Sequence, residues 1–315
     1  MTTPILGIGH VALHVPDLDA AVTHATTILG LREVERQNGT IYLTCDEQHH
    51  ALQLIASDTA AFDHVALEAT SIVALEELHT ALQREGIALL SEQPLEPGLA
   101  HSIRFLGPSG HLFEIFVPRA PELSLGAGND AQERRVGYLS ANVFFNGPGI
   151  RPRCLGHALL KCERVEEMQD FLTRVLGFRL SDRALGGDIV WLRCGPDHHT
   201  LNLVRGCNGL HHYAWEVESW ADLERLGDHL VANNHTLLWG PGRHGPGNNL
   251  FTYHLDPSGA VVEYFADLQR IDHEASYQPQ DWTNNPTWIN QWGPPPPADF
   301  IERGVDLAAP QRAGR

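Results

Sequence analysis

Hydrophobic side chains recur along this chain at two spacings, and segments of the two kinds follow one another in a fixed order. Residues 18–30 (LDAAVTHATTILG) come after a short apolar strand and a Pro-Asp turn, which predicts a helix. Residues 165–176 place apolar side chains at i, i+3 and i+4 and are followed by Gly177, a helix stop signal. Segments after each helix, such as TIYLTC and DIVWLRC, are predicted to be strands with alternating faces. The pattern indicates repeated units of one strand, one helix and several strands.

The second half of the chain repeats the first. TCDEQHHALQLI at residues 44–55, followed by FDHVALEA at 62–69, recurs as RCGPDHHTLNLV at 193–204, followed by LHHYAWEV at 210–217. LGPSGHLFEIF closes the first copy and LDPSGAVVEYF closes the second. A long-range duplication of this kind indicates two similar folding units. The sequence therefore predicts an α+β fold of four βαβββ modules in two homologous domains.

Domain boundaries follow from where the periodicity stops. The N-terminal domain is expected at residues 1–120 and the C-terminal domain at 151–268, with a connector at 121–150 where Gly, Pro and charged residues interrupt the pattern. Residues 269–315 contain WTNNPTWINQWGPPPPADF, whose Pro run cannot continue a helix or a central strand. We expect this tail to be irregular and to pack its Trp residues onto the body of the protein.

Composition narrows the possible partners and location. The 315 residues include 22 Lys+Arg and 39 Asp+Glu, which gives a net charge of −17. Binding of nucleic acid or of a membrane surface depends on clustered cations, so neither is an expected partner. The N-terminus has no basic and apolar signal segment, and no apolar run approaches the ~18 residues of a membrane span. We expect a cytoplasmic homo-oligomer.

Each copy carries two histidines and one glutamate at matching intervals. The first set is His10, His64 and Glu114, and the second set is His157, His212 and Glu263. The intervals are 54 and 50 residues in the first set and 55 and 51 in the second. A single His is more often a packed or solvated residue than a ligand, but repetition of the spacing favours a site. Two imidazoles and one carboxylate suit a first-row divalent metal and leave open positions for substrate and dioxygen on iron(II).

Residues 239–265 (WGPGRHGPGNNLFTYHLDPSGAVVEYF) resemble the type I extradiol ring-cleavage dioxygenases of the vicinal oxygen chelate superfamily, and the resemblance extends over nearly the whole chain. In that family a GPGRHG-like loop carries a substrate-facing His, a strand Tyr follows nine residues later, and the Glu ligand lies ten beyond. His244, Tyr253 and Glu263 keep these intervals. The resemblance implies an extradiol dioxygenase that uses Fe(II), or alternatively Mn(II), to insert both atoms of O2 into a catechol.

The resemblance also implies roles for residues around the metal. His199 is expected to act as the acid–base group, because it follows Trp191 by the family interval of eight residues, with its neighbour His198 as the alternative. Tyr253 and His244 are expected to donate hydrogen bonds to substrate oxygens. His211 stands beside the expected ligand His212, and the repeat with His64 favours His212.

Substrate identity depends on few residues. Relatives that accept a catechol with a side-chain carboxylate carry an Arg just before the GPGRHG loop, where this chain has Trp239. We therefore expect an uncharged substituted catechol, with Trp191, His198, Trp239 and Arg243 in contact with it. Arg243 is the residue whose guanidinium could instead pair with an acidic substrate.

The first copy departs from the family pattern. Arg104 and Leu95 stand where the second copy has Tyr253 and His244. A cationic Arg disfavours a nearby dication. We expect His10, His64 and Glu114 to form a vestigial site and the active metal to lie in the C-terminal domain.

Two other functions stay open. A metal-free, small-molecule-binding member of the same superfamily would lack the two His and the Glu of the second copy, which are intact. A metal-dependent isomerase or lyase would require additional acidic ligands in place of the His244–Tyr253–Glu263 arrangement.

Overall fold

The computed structural model describes residues 3–119 and 150–308. The connector predicted at 121–150 lies outside the described residues except for Ile150. Within the described ranges, no helix is long and apolar enough to cross a membrane.

The first domain is one eight-stranded sheet with two helices on it. Its strands run in the order β2-β3-β4-β1-β5-β8-β7-β6. β1 and β5 are antiparallel neighbours at the centre, and each pairs in parallel with the last strand of its own module, β4 or β8. The elements are β1 (Ile5–Val15), α1 (Leu18–Thr27), β2 (Arg32–Gln37), β3 (Thr40–Thr44), β4 (Leu52–Ala56), β5 (Ala61–Ala69), α2 (Ile72–Arg84), β6 (Leu89–Ser91), β7 (Leu99–Leu106) and β8 (Leu112–Pro118).

The second domain repeats this topology. Its strands run in the order β14-β15-β16-β13-β9-β12-β11-β10, with β13 and β9 antiparallel at the centre. The elements are β9 (Cys154–Cys162), α3 (Val165–Arg174), β10 (Arg179–Ala184), β11 (Ile189–Arg193), β12 (Leu201–Arg205), β13 (Gly209–Glu216), α4 (Trp220–Ala232), β14 (Trp239–Arg243), β15 (Leu250–Leu255) and β16 (Val261–Ala266). Each of the four units is a strand, a helix and three strands, so the predicted α+β fold of βαβββ modules is confirmed.

The tail after β16 is mostly irregular but extends the second sheet twice. β17 (Gln280–Asp281) pairs with β10, and β18 (Val305–Asp306) pairs with β13. Trp282 donates its indole N–H to Asp182 over 2.8 Å. The tail therefore crosses one face of the second domain instead of leaving it.

Helix packing follows the apolar spacing of the sequence. Val165, Met168, Phe171 and Leu172 of α3 are all buried, which places the predicted stripe against the core. Gly177 ends this segment with a φ of 78°, a conformation that costs a side chain about 1 kcal/mol or more and that glycine adopts freely.

A group of three histidines lies where helix α1 meets the second domain. The His24 ring lies 5.4 Å from the His235 ring and 5.3 Å from the His254 ring, measured between centroids. Burial and the charge of His235 lower the pKa of His24 to about 3. His254 is fully buried, and burial holds its pKa well below the usual range. His24 and His254 are therefore neutral in the folded protein at neutral pH.

The His24 pKa makes stability depend on pH in a defined direction. The unfolded chain takes up a proton as the pH falls below about 6.5, whereas folded His24 stays neutral until about pH 3. The contribution is complete above pH 6.5 and is lost as the pH falls through this window. At pH 5 the loss is about 2 kcal/mol. In urea titrations at pH 7 and pH 5, His24→Leu should reduce the acid-induced loss of unfolding free energy by that amount.

The control for this measurement is His79→Leu, at a half-buried position on α2. It should lose as much stability between pH 7 and pH 5 as the wild type. An equal acid response in the His24→Leu variant and the wild type would contradict the prediction.

Candidate metal centre and active site

Three neighbouring strands bring His157, His212 and Glu263 together. In the strand register, Ala214 of β13 lies opposite His157 of β9 on one side and opposite Glu263 of β16 on the other. His212 precedes Ala214 by two residues, so its side chain shares that face of the sheet. The Nε2 atoms of His157 and His212 each lie 3.1 Å from Oε2 of Glu263.

The three side chains fit a divalent cation. All three are at most 5% exposed, and one ligand atom from each lies within 4.8 Å of the others. Burial alone would raise the pKa of Glu263, but the charge of His157 and hydrogen bonds from both histidines hold it well below its usual range. Within the described residues, Nδ1 of His157 has no hydrogen-bond partner, and the Nε2 atoms of both histidines approach the same carboxylate oxygen. A buried carboxylate facing two buried imidazoles is a donor set that suits a first-row dication.

His199 lies directly beside this set. Its ring centroid is 4.4 Å from that of His157, and its Nδ1 lies 3.0 Å from Nδ1 of His198. Burial, followed by the charges of His157 and His198, holds the pKa of His199 well below its usual range, so the ring is neutral. His198 points the other way, with Nε2 3.2 Å from Oδ2 of Asp182.

The Tyr253 hydroxyl lies between His244 and the glutamate. The Tyr253 hydroxyl lies 2.9 Å from Oε2 of Glu263 and 2.9 Å from Nε2 of His244. His244 Nδ1 lies 2.5 Å from the carbonyl oxygen of Ile289, which can only accept, so Nδ1 carries the proton. Burial lowers the pKa of His244 to about 4, which leaves its Nε2 as an acceptor in the neutral ring.

A cavity opens over these groups. Its polar lining is His157, Asn202, His199, His211, His212, His244, Tyr253 and Glu263, and its apolar lining is Leu159, Ile189, Trp191, Trp288, Ile289, Phe300 and Ile301. Four of the apolar residues, Trp288, Ile289, Phe300 and Ile301, come from the tail. The sequence predicted that the tail packs on the body but gave no sign that it forms a wall of the site.

Three of the four residues expected to touch substrate do not line this cavity, and their role in substrate contact stays a prediction. His198 is buried against Asp182. Trp239 stacks on Tyr253, with ring planes 7° apart, and donates its indole N–H to the carbonyl of Pro294. Arg243 donates to the carbonyl of Asn248. Only Trp191 of the four lines the cavity.

The structure separates His211 from its neighbour His212 and adds Asn249 to the site. His211 Nε2 lies 2.7 Å from the carbonyl oxygen of Phe300, and burial with the charge of His212 lowers its pKa to about 3. Only His212 of this pair faces Glu263. Asn249, which sequence reasoning missed, donates to Oε1 of Glu263 over 3.2 Å and so fixes the carboxylate.

The first domain brings its own set together in the same way. His10, His64 and Glu114 lie on β1, β5 and β8, and a fourth acidic residue, Glu96, joins them from the loop between β6 and β7. Arg104 contacts both carboxylates. Sequence reasoning missed Glu96 because it compared only the positions that align between the two copies. His244 aligns with Leu95, one position before Glu96.

Comparison with known proteins agrees with this geometry. A family model described as glyoxalase/bleomycin resistance protein/dioxygenase superfamily matches residues 7–115 and 155–264, one match for each domain. The chain is 31% identical over 299 residues to a manganese-dependent 2,3-dihydroxybiphenyl 1,2-dioxygenase of Geobacillus genomosp. 3, covering 90% of this chain and 91% of that protein.

Two more relatives extend the comparison. Metapyrocatechase 2 of Cupriavidus necator is 29% identical over 309 residues, covering 93% of this chain and 91% of that protein. The crystal structure of the Mn(II)-bound glyoxalase from Novosphingobium aromaticivorans superposes with a TM-score of 0.82 at 26% identity, covering 97% of this chain and 96% of that one. The chain belongs to the glyoxalase/bleomycin resistance protein/dioxygenase superfamily and, within it, to the extradiol catechol dioxygenases.

Proposed function

We propose that the protein cleaves the ring of an uncharged, substituted catechol next to its diol and inserts both atoms of O2, with a divalent metal held by His157, His212 and Glu263. The observation that carries this proposal is the convergence of three buried donor atoms within 4.8 Å of one another beneath a largely apolar cavity. The donors leave one face toward the cavity, where a catechol and O2 would meet.

Iron(II) is the proposed metal and manganese(II) the alternative. Two imidazoles and one carboxylate accept either ion. A bound dication would lower the pKa of the catechol hydroxyls and orient the diol. The similarity to a manganese-dependent dioxygenase makes direct comparison of both metals necessary.

His199 is the proposed acid–base residue. Nε2 of His198 lies against the Asp182 carboxylate, which can only accept, so this nitrogen is assigned a proton. Nδ1 of His198 is then an acceptor, and Nδ1 of His199, 3.0 Å away, carries the proton between them. This leaves Nε2 of His199 unprotonated. A neutral imidazole that lines the cavity can take a proton from a catechol hydroxyl and return it later. His198 is a positioning residue in this scheme.

Tyr253 is proposed to donate a hydrogen bond to a substrate oxygen, and His244 is proposed to lie beside it as a neutral partner of the Tyr253 hydroxyl. With Nε2 of His244 as an acceptor, the Tyr253 hydroxyl has its proton available either for His244 or for a substrate oxygen near Glu263. Trp239 holds the Tyr253 ring from behind by stacking. A donor fixed in this way favours negative charge that develops on a substrate oxygen during the reaction.

The cavity wall sets the substrate preference. Among the described residues, no Arg or Lys lines the cavity, and Arg243 is engaged by Asn248 and Asp267. Burying a carboxylate there without a cation costs several kcal/mol. We expect kcat/KM for 3-methylcatechol to exceed that for 3,4-dihydroxyphenylacetate by at least about tenfold, measured as oxygen uptake.

A cation placed in the wall tests the reason for this preference. Ile301→Arg should narrow the difference in kcat/KM between the two catechols. Val73→Arg, at an exposed position on α2 of the first domain, should leave that difference unchanged. A higher kcat/KM of the wild type for 3,4-dihydroxyphenylacetate would contradict the proposal, because the substrate carboxylate would then have a cationic partner.

The proposed reaction is tested by reconstituting the metal-free protein anaerobically with Fe(II) or Mn(II), adding catechols and admitting air. A yellow ring-fission product with one O2 consumed per catechol is the expected result. The similarity to a glyoxalase favours a metal-dependent isomerase as the second candidate, and turnover of a hemithioacetal without oxygen uptake would support it instead. The cytoplasmic location and the homo-oligomeric state stay predictions.

A further inference from the structure

We propose that the N-terminal domain holds a second divalent cation, bound by His10, His64, Glu96 and Glu114, and that this cation is structural. The inference goes beyond the proposed ring cleavage, which uses only the C-terminal site. It departs from the vestigial role expected for the first copy because the structure adds Glu96 to the set.

The geometry of the four donors suits a metal. The Nε2 atoms of His10 and His64 lie 3.1 Å apart. Glu96 places Oε2 2.9 Å from His10 Nε2 and Oε1 3.2 Å from His64 Nε2. Oε2 of Glu114 lies 3.7 Å from both nitrogens. Ligand bonds of about 2.1 Å require donor atoms roughly 3 to 3.5 Å apart, and these separations fall around that range.

Glu96 removes the electrostatic objection to a cation beside Arg104. Glu96 and Glu114 carry two negative charges, and the Arg104 guanidinium, which contacts both, offsets one. With neutral imidazoles the set keeps one net negative charge. Glu263 alone leaves the same net charge among the second-domain donors, so a dication meets an equal balance at the two sites.

Unsatisfied polar atoms point in the same direction. Oε1 of Glu114 is buried and has no hydrogen-bond partner among the described residues, whereas its counterpart in Glu263 accepts from Asn249. Two imidazole Nε2 atoms facing each other across 3.1 Å can share only one proton in a hydrogen bond. A buried carboxylate oxygen without a partner is costly unless a cation accompanies it.

The surroundings indicate a structural role. All four side chains are at most 7% exposed, so the set offers four protein ligands and is closed to water. Arg104 stands where the second copy has Tyr253, and Glu96 itself stands one position from the counterpart of His244. Sites with four protein ligands are typical of structural zinc, whereas catalytic sites keep an open position. The cation would join the loop that carries Glu96 to strands β1 and β5.

Metal counting tests the proposal on the full chain. Metal-free protein is saturated with Zn(II), desalted and measured by mass spectrometry of the metal. We expect two zinc ions per chain in the wild type and in His101→Ala, an exposed control in the same domain. Glu96→Gln, His10→Ala and Glu263→Gln should each retain one, and the double variant Glu96→Gln/Glu263→Gln should retain none.

A second measurement uses a variant in which the N-terminal domain is unchanged. In Glu263→Gln, Zn(II) at about a hundred times its dissociation constant should raise the melting temperature by about 5 °C, because the ion binds only the folded N-terminal domain. One zinc per chain in the wild type, with none left in Glu263→Gln and no thermal shift, would overturn the proposal. One zinc in the wild type but two in Arg104→Met would also overturn it, since the guanidinium would then occupy the cation's place.

Discussion

Glu263→Gln should abolish ring cleavage and remove the metal from the C-terminal site. The substitution keeps the size and the acceptor oxygen of the side chain but removes the one negative charge that, within residues 3–119 and 150–308, faces both His157 and His212. A neutral amide is a weak ligand for a first-row dication. Loss of a metal whose contribution to the transition state is several kcal/mol lowers kcat/KM by at least about 10³-fold. Oxygen uptake with 3-methylcatechol, together with metal content, measures both effects.

The matched control is Glu216→Gln on β13, where the carboxylate is half-buried and lies 3.6 Å from Arg153. This variant should keep its metal and its turnover. Near-normal oxygen uptake in Glu263→Gln would mean that the reaction does not depend on this metal set.

His199→Phe should lower kcat by about 10²–10⁴-fold and change KM little. The substitution keeps an aromatic ring beside His157 but removes the imidazole nitrogen proposed as the base. Because His199 is not one of the proposed metal ligands, the metal content should stay at the wild-type value. Pre-steady-state mixing of the anaerobic enzyme–catechol complex with oxygenated buffer separates substrate binding from the chemical steps.

His198→Phe is the informative companion, because His198 touches His199 and Asp182 but does not line the cavity. Because His198 is proposed as a positioning residue, His198→Phe should lower kcat by about tenfold, a smaller loss than in His199→Phe. A larger loss in His198→Phe than in His199→Phe would reverse the two assignments.

The sequence was sufficient for the fold because the duplication is strong. Alternating strands and one amphipathic helix recur in each module, and a one-residue slip would turn every core side chain to the wrong face. The same logic selected the residues proposed as metal ligands, since strand parity fixes which side of the sheet a residue such as His212 faces. His211, one position earlier, points to the tail instead.

Side-chain direction in irregular segments was not predictable in this way. Trp239 and Arg243 lie on β14, where the pairing with β15 shifts register between Trp239 and Gly242, so sequence spacing no longer tells which side chains face the substrate. Glu96 lies in a loop without periodicity. The cavity wall from the tail depends on contacts between residues far apart in sequence, such as Trp282 with Asp182, which are 100 residues apart.

The cavity is built partly from the sheet and partly from the tail, so changes in substrate choice can occur separately from changes in the catalytic groups. The groups proposed for chemistry stand mainly on paired strands, where most replacements disturb register and core. Trp288, Ile289, Phe300 and Ile301 lie in a largely irregular segment between β17 and β18, two strands of two residues each that pair with the sheet. Mutations and small insertions there can reshape the pocket while the ligand geometry stays intact. Laboratory selection for new catechols should therefore diversify residues 282–302 first.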